Sequence, residues 1–263
     1  MKITSLLENT CENEKFQTEH GLSLYIEANG KKILFDMGKS DLFAKNASEM
    51  NINLADVDFA ILSHGHYDHG GGMETFLEIN KTAPIYINTY AFESHYNGTA
   101  KFIGLDEKLA KSNRLVFVDE NLEIAEGFEL FSCNDKKRAY ETNPFGLTIF
   151  ENDNFVPEDF RHEQYFLIKE NGKRVLFSGC SHKGILNIMQ WFTPDVLIGG
   201  FHFKDLNPTT TDKEQLVSAA KILNSYDTKY FTCHCTGVEQ YNFLKDIMKD
   251  KLEYISTGKI IEI

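Results

Sequence analysis

Three of the nine histidines in this 263-residue chain fall within six residues, in Ser63-His64-Gly65-His66-Tyr67-Asp68-His69-Gly70-Gly71-Gly72. Neutral imidazole nitrogen and carboxylate oxygen are the donors that zinc and similar borderline ions take, so this density predicts a metal site. In an extended loop His64, His66 and Asp68 point one way, because side chains alternate with a period of two, and a turn after Asp68 brings His69 round to join them. A merely solvated turn has no use for such a set. The glycines let the backbone pass close to the ions and then open a helix over Met73–Ile79. A dication held here lowers the pKa of its water toward about 7, which makes hydrolysis the natural reaction.

The elements that must position this loop can be read from period and punctuation. The apolar run from Val57 to Leu62 reads as a buried strand ending where the histidines begin. Leu22–Ala28 and Lys32–Asp36 read as a hairpin around Asn29-Gly30, followed by a helix capped by Ser40 and carrying Leu42, Phe43, Ala47 and Met50. The layout recurs later: Gln164–Lys169 and Arg174–Ser178 flank Asn171-Gly172, and Gly179-Cys180-Ser181-His182 leads into a helix over Lys183–Phe192. Asp195–Ile198 reads as a buried strand ending at Gly199-Gly200-Phe201-His202, Asp212 opens an amphipathic helix, and the strand Lys229–Thr232 ends at Cys233-His234-Cys235. Strands that end in histidine-bearing loops and alternate with helices predict an α/β sandwich with the site at one rim of the sheets.

Other residues at these strand ends have readings of their own. Cys180 is either a thiolate ligand or a buried structural thiol. His182 reads as a ligand, because Ser181 supplies the capping oxygen of the helix that follows. His162 reads as a partner of Glu163, His95 as an ordinary surface or loop histidine, and His202 as a group that braces the site or faces substrate. Cys233 and Cys235 flank His234 in strand spacing and read as pointing away from it.

The H-x-H-x-D-H stretch is accompanied, in order, by Glu19-His20-Gly21-Leu22-Ser23, Leu34-Phe35-Asp36-Met37-Gly38, Gly179-Cys180-Ser181-His182-Lys183-Gly184-Ile185, Gly199-Gly200-Phe201-His202 and His234-Cys235-Thr236-Gly237. This set resembles the metallo-β-lactamase superfamily, in particular its dihydropterin–ribofuranosylaminobenzene phosphate synthase-like subgroup. The resemblance implies an αββα sandwich; no linker or low-complexity stretch divides the chain, so residues 1–263 read as one domain, with 88–159 as an elaboration covering the site. The resemblance also implies one ion on His64 and His66, a second on Asp68, His69 and His234, and bracing of the loop by Asp36, with Glu19 and His20 in a similar role. Cys180 stands where the superfamily has a bridging aspartate, and the superfamily's separate histidine is met by His162 or His182. The cofactor implied is zinc, one or two ions, with iron or manganese as alternatives. The chemistry expected is hydrolysis of a small ester or phosphoester, with Asp68 and His202 as catalytic groups. The rival expectations are a synthase or transferase acting on a phosphorylated pterin-like or ribosylated aromatic substrate, and a non-hydrolytic metal-binding or redox protein.

Composition narrows the partners. A net charge of −12 repels nucleic-acid backbones, and the longest basic cluster is only Lys136-Lys137-Arg138, which leaves a small-molecule substrate as the expectation. The aromatic-rich stretch from Phe92 to Phe160 can supply faces for a planar ring. No apolar run has the length to span a bilayer, Met1–Glu8 does not read as a secretory signal, and five cysteines lack a framework spacing. These features predict a soluble protein of the reducing cytoplasm, with no membrane or nucleic-acid partner. Oligomeric state leaves no mark in the sequence.

Overall fold

Two Asn-Gly pairs set the frame. Asn29 (φ 46°) and Gly30 (72°), like Asn171 (51°) and Gly172 (76°), take positive φ at both positions, as a type I′ turn requires. Each therefore closes an antiparallel hairpin, as the sequence predicts. The computed structural model, which describes residues 1–263, extends both hairpins with parallel strands. One seven-stranded sheet runs in the order Ile260–Glu262, Lys2–Leu7, Ser23–Ala28, Lys31–Phe35, Phe59–Ile61, Ile85–Asn88, Leu115–Val118. The other runs Leu252–Tyr254, Lys229–Thr232, Val196–Gly199, Lys173–Ser178, Tyr165–Glu170, Phe128–Phe131, Asn121–Ala125.

Side-chain alternation along these strands decides the layers. Leu24, Ile26, Ile33, Phe35 and Ile61 of the first sheet meet Phe166, Ile168, Val175, Phe177 and Ile198 of the second in one buried cluster, with the Phe35 and Phe177 rings 5.7 Å apart. On the first sheet's other face, Leu34, Ala60 and Ile85 bury against Phe43 and Ala47 of the helix Leu42–Glu49 and Met73 and Phe76 of the helix Met73–Ile79. On the second sheet's other face, Leu167, Leu176 and Leu197 bury against helices Ile185–Phe192, Asp212–Ser225 and Val238–Met248 through Ile188, Leu216, Ala220 and Leu244. Helix, sheet, sheet, helix is the αββα sandwich expected.

The stretch 88–159 does two things. Its strands Leu115–Val118, Asn121–Ala125 and Phe128–Phe131 join the large sheets. Its strands His95–Asn97, Lys101–Phe102, Leu147–Glu151 and Asn154–Pro157 form a third, four-stranded sheet. Two helix starts differ from expectation. The Ser40 hydroxyl accepts the Leu42 N–H at 3.3 Å, but Asp41 occupies the helix boundary. The later helix begins at Ile185, after Gly184 at φ 88°, and the Ser181 hydroxyl pairs with Ser178 at 2.8 Å instead of capping it. No helix is long and apolar enough to cross a membrane.

Asp36, His64, Cys180, His182, His202 and His234 all follow the C-terminal ends of strands in parallel pairs, where α/β sheets carry their ligand sites. The two sheets hold that rim together through their shared core, where Phe177 touches both Phe35 and Phe166. Phe177→Ala is expected to cost about 3–5 kcal/mol of stability. Urea unfolding should show a lowered midpoint at unchanged slope, and a midpoint equal to wild type would contradict this account of the core.

Candidate metal centre

The site starts from one buried carboxylate. Asp36 leaves its strand at φ 58° and accepts the Ser63 N–H and hydroxyl, both at 2.7 Å, and the His69 Nδ1–H at 2.6 Å. Because the only hydroxyl proton of Ser63 goes to Asp36, its oxygen accepts from His64 Nδ1 at 2.8 Å. Both imidazoles are thereby set with the proton on Nδ1 and a bare Nε2 turned toward the rim. Close backbone approach makes this geometry, and glycine permits it. A Cβ on Gly179 would lie 2.1 Å from the Ser63 hydroxyl, and one on Gly65 would lie 2.1 Å from the Ala91 carbonyl. The loop glycine at 65 is thus required by neighbouring backbone, where the sequence suggested an approach to ions.

His64 Nε2 lies 3.3 Å from His182 Nε2. Two nitrogens sharing a tetrahedral ion at about 2.0–2.1 Å stand about 3.3–3.4 Å apart, so the pair fits a common ion. His66 completes that group, and Cys180, with its Sγ 3.2 Å from His69 Nε2, forms another with His64 and His69. The third group is His20, Asp68 and His234, with Asp68 Oδ2 at 3.1 Å from His20 Nε2 and 3.3 Å from His234 Nε2. Asn9 Oδ1 accepts the His234 Nδ1–H at 2.8 Å, so the buried His234 Nε2 carries a lone pair that faces a carboxylate. Two facing acceptors call for a cation between them. The helical turn Tyr67–Gly70 begins directly after His66, earlier than the extended reading of the loop allows. That early turn places Asp68 in a different group from His64 and His66.

Burial, the largest cause, holds His64, His66 and His182 well below the usual imidazole range and so keeps them neutral, as ligation requires. For Asp68 burial works upward, but the hydrogen bond from the His20 ring, first among its neighbours, brings it well below the usual carboxylate range. Burial pushes the Cys180 thiol well up, so it loses its proton only where a cation takes the proton's place.

The remaining predicted residues divide. His20 packs on His234 with ring centroids 4.7 Å apart, and His202 lies 4.3 Å from His182 and 5.4 Å from Phe145 at the wall of the rim cavity. Glu19 touches no ligand: it accepts from Lys39 N, Ser40 N and the Ser40 hydroxyl, and so braces the turn after Asp36. His162 does not pair with Glu163, whose carboxylate takes the Tyr165 hydroxyl and the N–H groups of His182 and Lys183. Nor is His95 a surface or loop histidine, since it is wholly buried in the strand His95–Asn97. Cys233 faces the core as expected, but Cys235 lines the rim cavity with Cys180, because His234–Thr236 is a 3-10 turn and breaks the alternation.

Sequence reasoning missed Glu8, Asn9 and Phe160. Glu8 Oε1 accepts the His234 N–H at 2.6 Å and the Tyr254 hydroxyl at 2.7 Å, and Phe160 stacks on His182 at 4.6 Å. The available signal for the first two was a polar pair directly after the buried strand Lys2–Leu7. Phe160 had none.

If Asp36 sets both tautomers, Asp36→Asn should weaken zinc binding about 10–100-fold in chelator competition. His64→Ala and Asp68→Ala should lose metal while keeping the wild-type circular dichroism. Zinc affinity unchanged in Asp36→Asn would refute the tautomer argument.

Comparison with known proteins gives the family. Residues 18–147 match the profile of the Metallo-beta-lactamase superfamily. A protein of Methanocaldococcus jannaschii named 7,8-dihydropterin-6-methyl-4-(beta-D-ribofuranosyl)-aminobenzene-5'-phosphate synthase is 32% identical over 288 aligned positions, covering 100% of this chain and 96% of that protein. A second protein of that organism, uncharacterized, is 28% identical over 99% of this chain and all of its own length. The crystal structure of a metal-dependent hydrolase of the beta-lactamase superfamily superposes with a TM-score of 0.83 at 25% identity, over 100% of this chain and 99% of that one. With its αββα layers, its histidine-rich rim and a full-length relative at this identity, the chain belongs to the metallo-β-lactamase superfamily.

Proposed function

We propose that this protein is a metal-dependent hydrolase of small anionic esters or phosphoesters, with zinc, or iron or manganese in its place, as the ion. His64, His66 and His182 would hold one ion, and Asp68, His69, Cys180 and His234 a second. One observation carries the reading: the donor cluster opens into a cavity of about 410 Å³ whose walls also bring Lys101 and Lys204. Cations beside metal donors suit an anionic group on the substrate. A second cavity of about 320 Å³ shares His182, His202 and Phe145 with the first and is walled by Tyr140, Ile185, Leu186, Phe203 and Ile222. Apolar walls next to a few polar anchors suit a planar ring. The net charge of −12 is spread over the surface and screened beyond about 8 Å, so a small anion can enter where a polyanion meets repulsion.

A bound dication supplies Lewis acidity, polarising the scissile group and acidifying water. The chain supplies the rest. Asp68, kept ionised, orients the water and accepts its proton on a carboxylate oxygen. His202 is pushed down to about 3 by burial and by the neighbouring Lys204, so it is neutral and donates an N–H to the developing oxyanion. Burial works against the Lys204 charge, but it does not prevail beside the carboxylates of Asp205 and Asp68, and the side chain remains an ammonium that can hold the anionic arm. The cytoplasm is the compartment proposed, on the cysteine usage of the sequence.

A synthase is the second reading, favoured by the name of the archaeal relative, whose product carries a pterin, a ribosylated aminobenzene and a phosphate. The same two cavities suit a phosphate and a planar ring. A panel of chromogenic phosphodiesters, phosphomonoesters, lactones, β-lactams and oligonucleotides, assayed with zinc and with manganese, separates the readings. Turnover of small aryl esters or phosphoesters is expected, with His202→Ala retaining its metal and losing about 10²-fold in kcat. Cleavage confined to oligonucleotides would overturn the charge argument, and turnover of none of the panel would favour the synthase.

A further inference from the structure

Behind His66 lies a polar cage that the chemistry above leaves unused. His95 in the strand His95–Asn97, Glu158 just after the strand Asn154–Pro157 and His162 before the strand Tyr165–Glu170 have fully buried side chains. Ligand-type atoms of these three residues and of His66 lie within 4.8 Å of one another. Each residue also has one buried polar atom without a hydrogen-bond partner: His66 Nε2, His95 Nε2, Glu158 Oε1 and His162 Nε2. Four such atoms in one interior spot are costly unless something satisfies them together.

The placement of protons decides what can do so. His162 Nδ1 accepts the Gly65 N–H at 2.8 Å, so the proton of this neutral ring sits on Nε2. His95 Nδ1 donates to Glu158 Oε2 at 2.8 Å, which leaves its Nε2 bare. His66 lines the rim cavity; its Nε2 is buried without a partner, whereas its Nδ1 has no hydrogen bond and is not buried, so Nδ1 is the nitrogen that faces the cavity with His64 and His182, and an ion held on Nδ1 would put the proton on Nε2. The cage therefore presents two donors, on His66 and His162, and two acceptors, on His95 and Glu158. A cation in the cage would need lone pairs from all four, which means stripping both donor rings to imidazolates. One water accepts two hydrogen bonds and donates two, so it matches the count.

We propose that Glu158, His95 and His162 are positioning residues for His66, holding its Nε2–H through one enclosed water and so aiming its Nδ1 at the ion. The proposal rests on the reading that His66 binds metal. A ligating histidine is generally oriented by the partner of its other nitrogen, and here that partner comes from the small third sheet. The Ile103 backbone, which donates its N–H to the His95 carbonyl and accepts the Tyr67 N–H, both at 2.8 Å, ties that sheet to the metal loop.

Cobalt(II) serves as the probe on the full-length protein. Glu158→Gln retains size and removes charge, and is expected to lower cobalt affinity about 10–100-fold in chelator competition and to shift the visible spectrum of the cobalt protein. In a His66→Ala background the same substitution should have no further effect, which a merely structural role would not produce. His95→Gln carries the same expectation should Glu158→Gln fail to fold. Wild-type affinity and spectrum in a folded variant would overturn the positioning role alone. A cobalt ion additional to those at the rim that disappears in Glu158→Gln would overturn it too, by making the cage a metal site. A wild-type protein that binds no cobalt would overturn the metal reading and this proposal with it.

Discussion

A buried carboxylate with three proton donors and no solvent around it, Asp36, links the sandwich to its chemistry. Its bonds to Ser63 fix the entry of the histidine loop, and its bond to His69 fixes the exit. Burial pushes Asp36 up to about 8, against its Ser63 hydrogen bonds, and through the Ser63 hydroxyl it also governs His64, so one buried carboxyl group orients two rings from opposite sides of the loop. Such a group is expensive to bury and is retained only where its partners are in place. The glycines at 65 and 179 belong to the same arrangement, since any side chain at either position would meet the Ala91 carbonyl or the Ser63 hydroxyl.

The two halves of the molecule use a common device. Each begins with an Asn-Gly hairpin and continues in parallel strands whose C-terminal ends carry the polar residues of the rim. The histidine loop comes from the first half, and Cys180, His182, His202 and His234 come from the second. Neither half holds a complete donor set: His64 meets His182, and Asp68 meets His234, only across the interface of the two sheets. The shared core of Phe35, Phe166 and Phe177 is therefore what keeps the donors in register.

Electrostatics is local at this rim. Burial keeps the imidazoles neutral and the Cys180 thiol protonated, while Asp68 stays ionised. The result is a concentration of lone pairs and negative charge that suits a cation, bordered by Lys101 and Lys204. An acidic surface is compatible with the anionic substrate proposed, because the surface charge is diffuse and the field of the site short-ranged.

The αββα layering came from the family resemblance, while the sequence alone determined an α/β sandwich with its site at one rim, the two hairpins and the density of donors at His64–His69. These depend on short-range regularities: period-two alternation, Asn-Gly at positive φ, and ligand types crowded in a few residues. Cys180, His182, His202 and His234 were visible for the same reason, as polar residues directly after buried strands. What the tertiary structure decided were the partners. Whether His162 pairs with the adjacent Glu163 or with Gly65, and whether His95 lies on the surface or inside, depends on strands far apart in sequence. Asn9 and Glu8 reach His234 across more than 220 residues, and Phe160 reaches His182 only by stacking. Local pattern records which face of a strand is buried, but it holds no record of which distant side chain will occupy the space opposite.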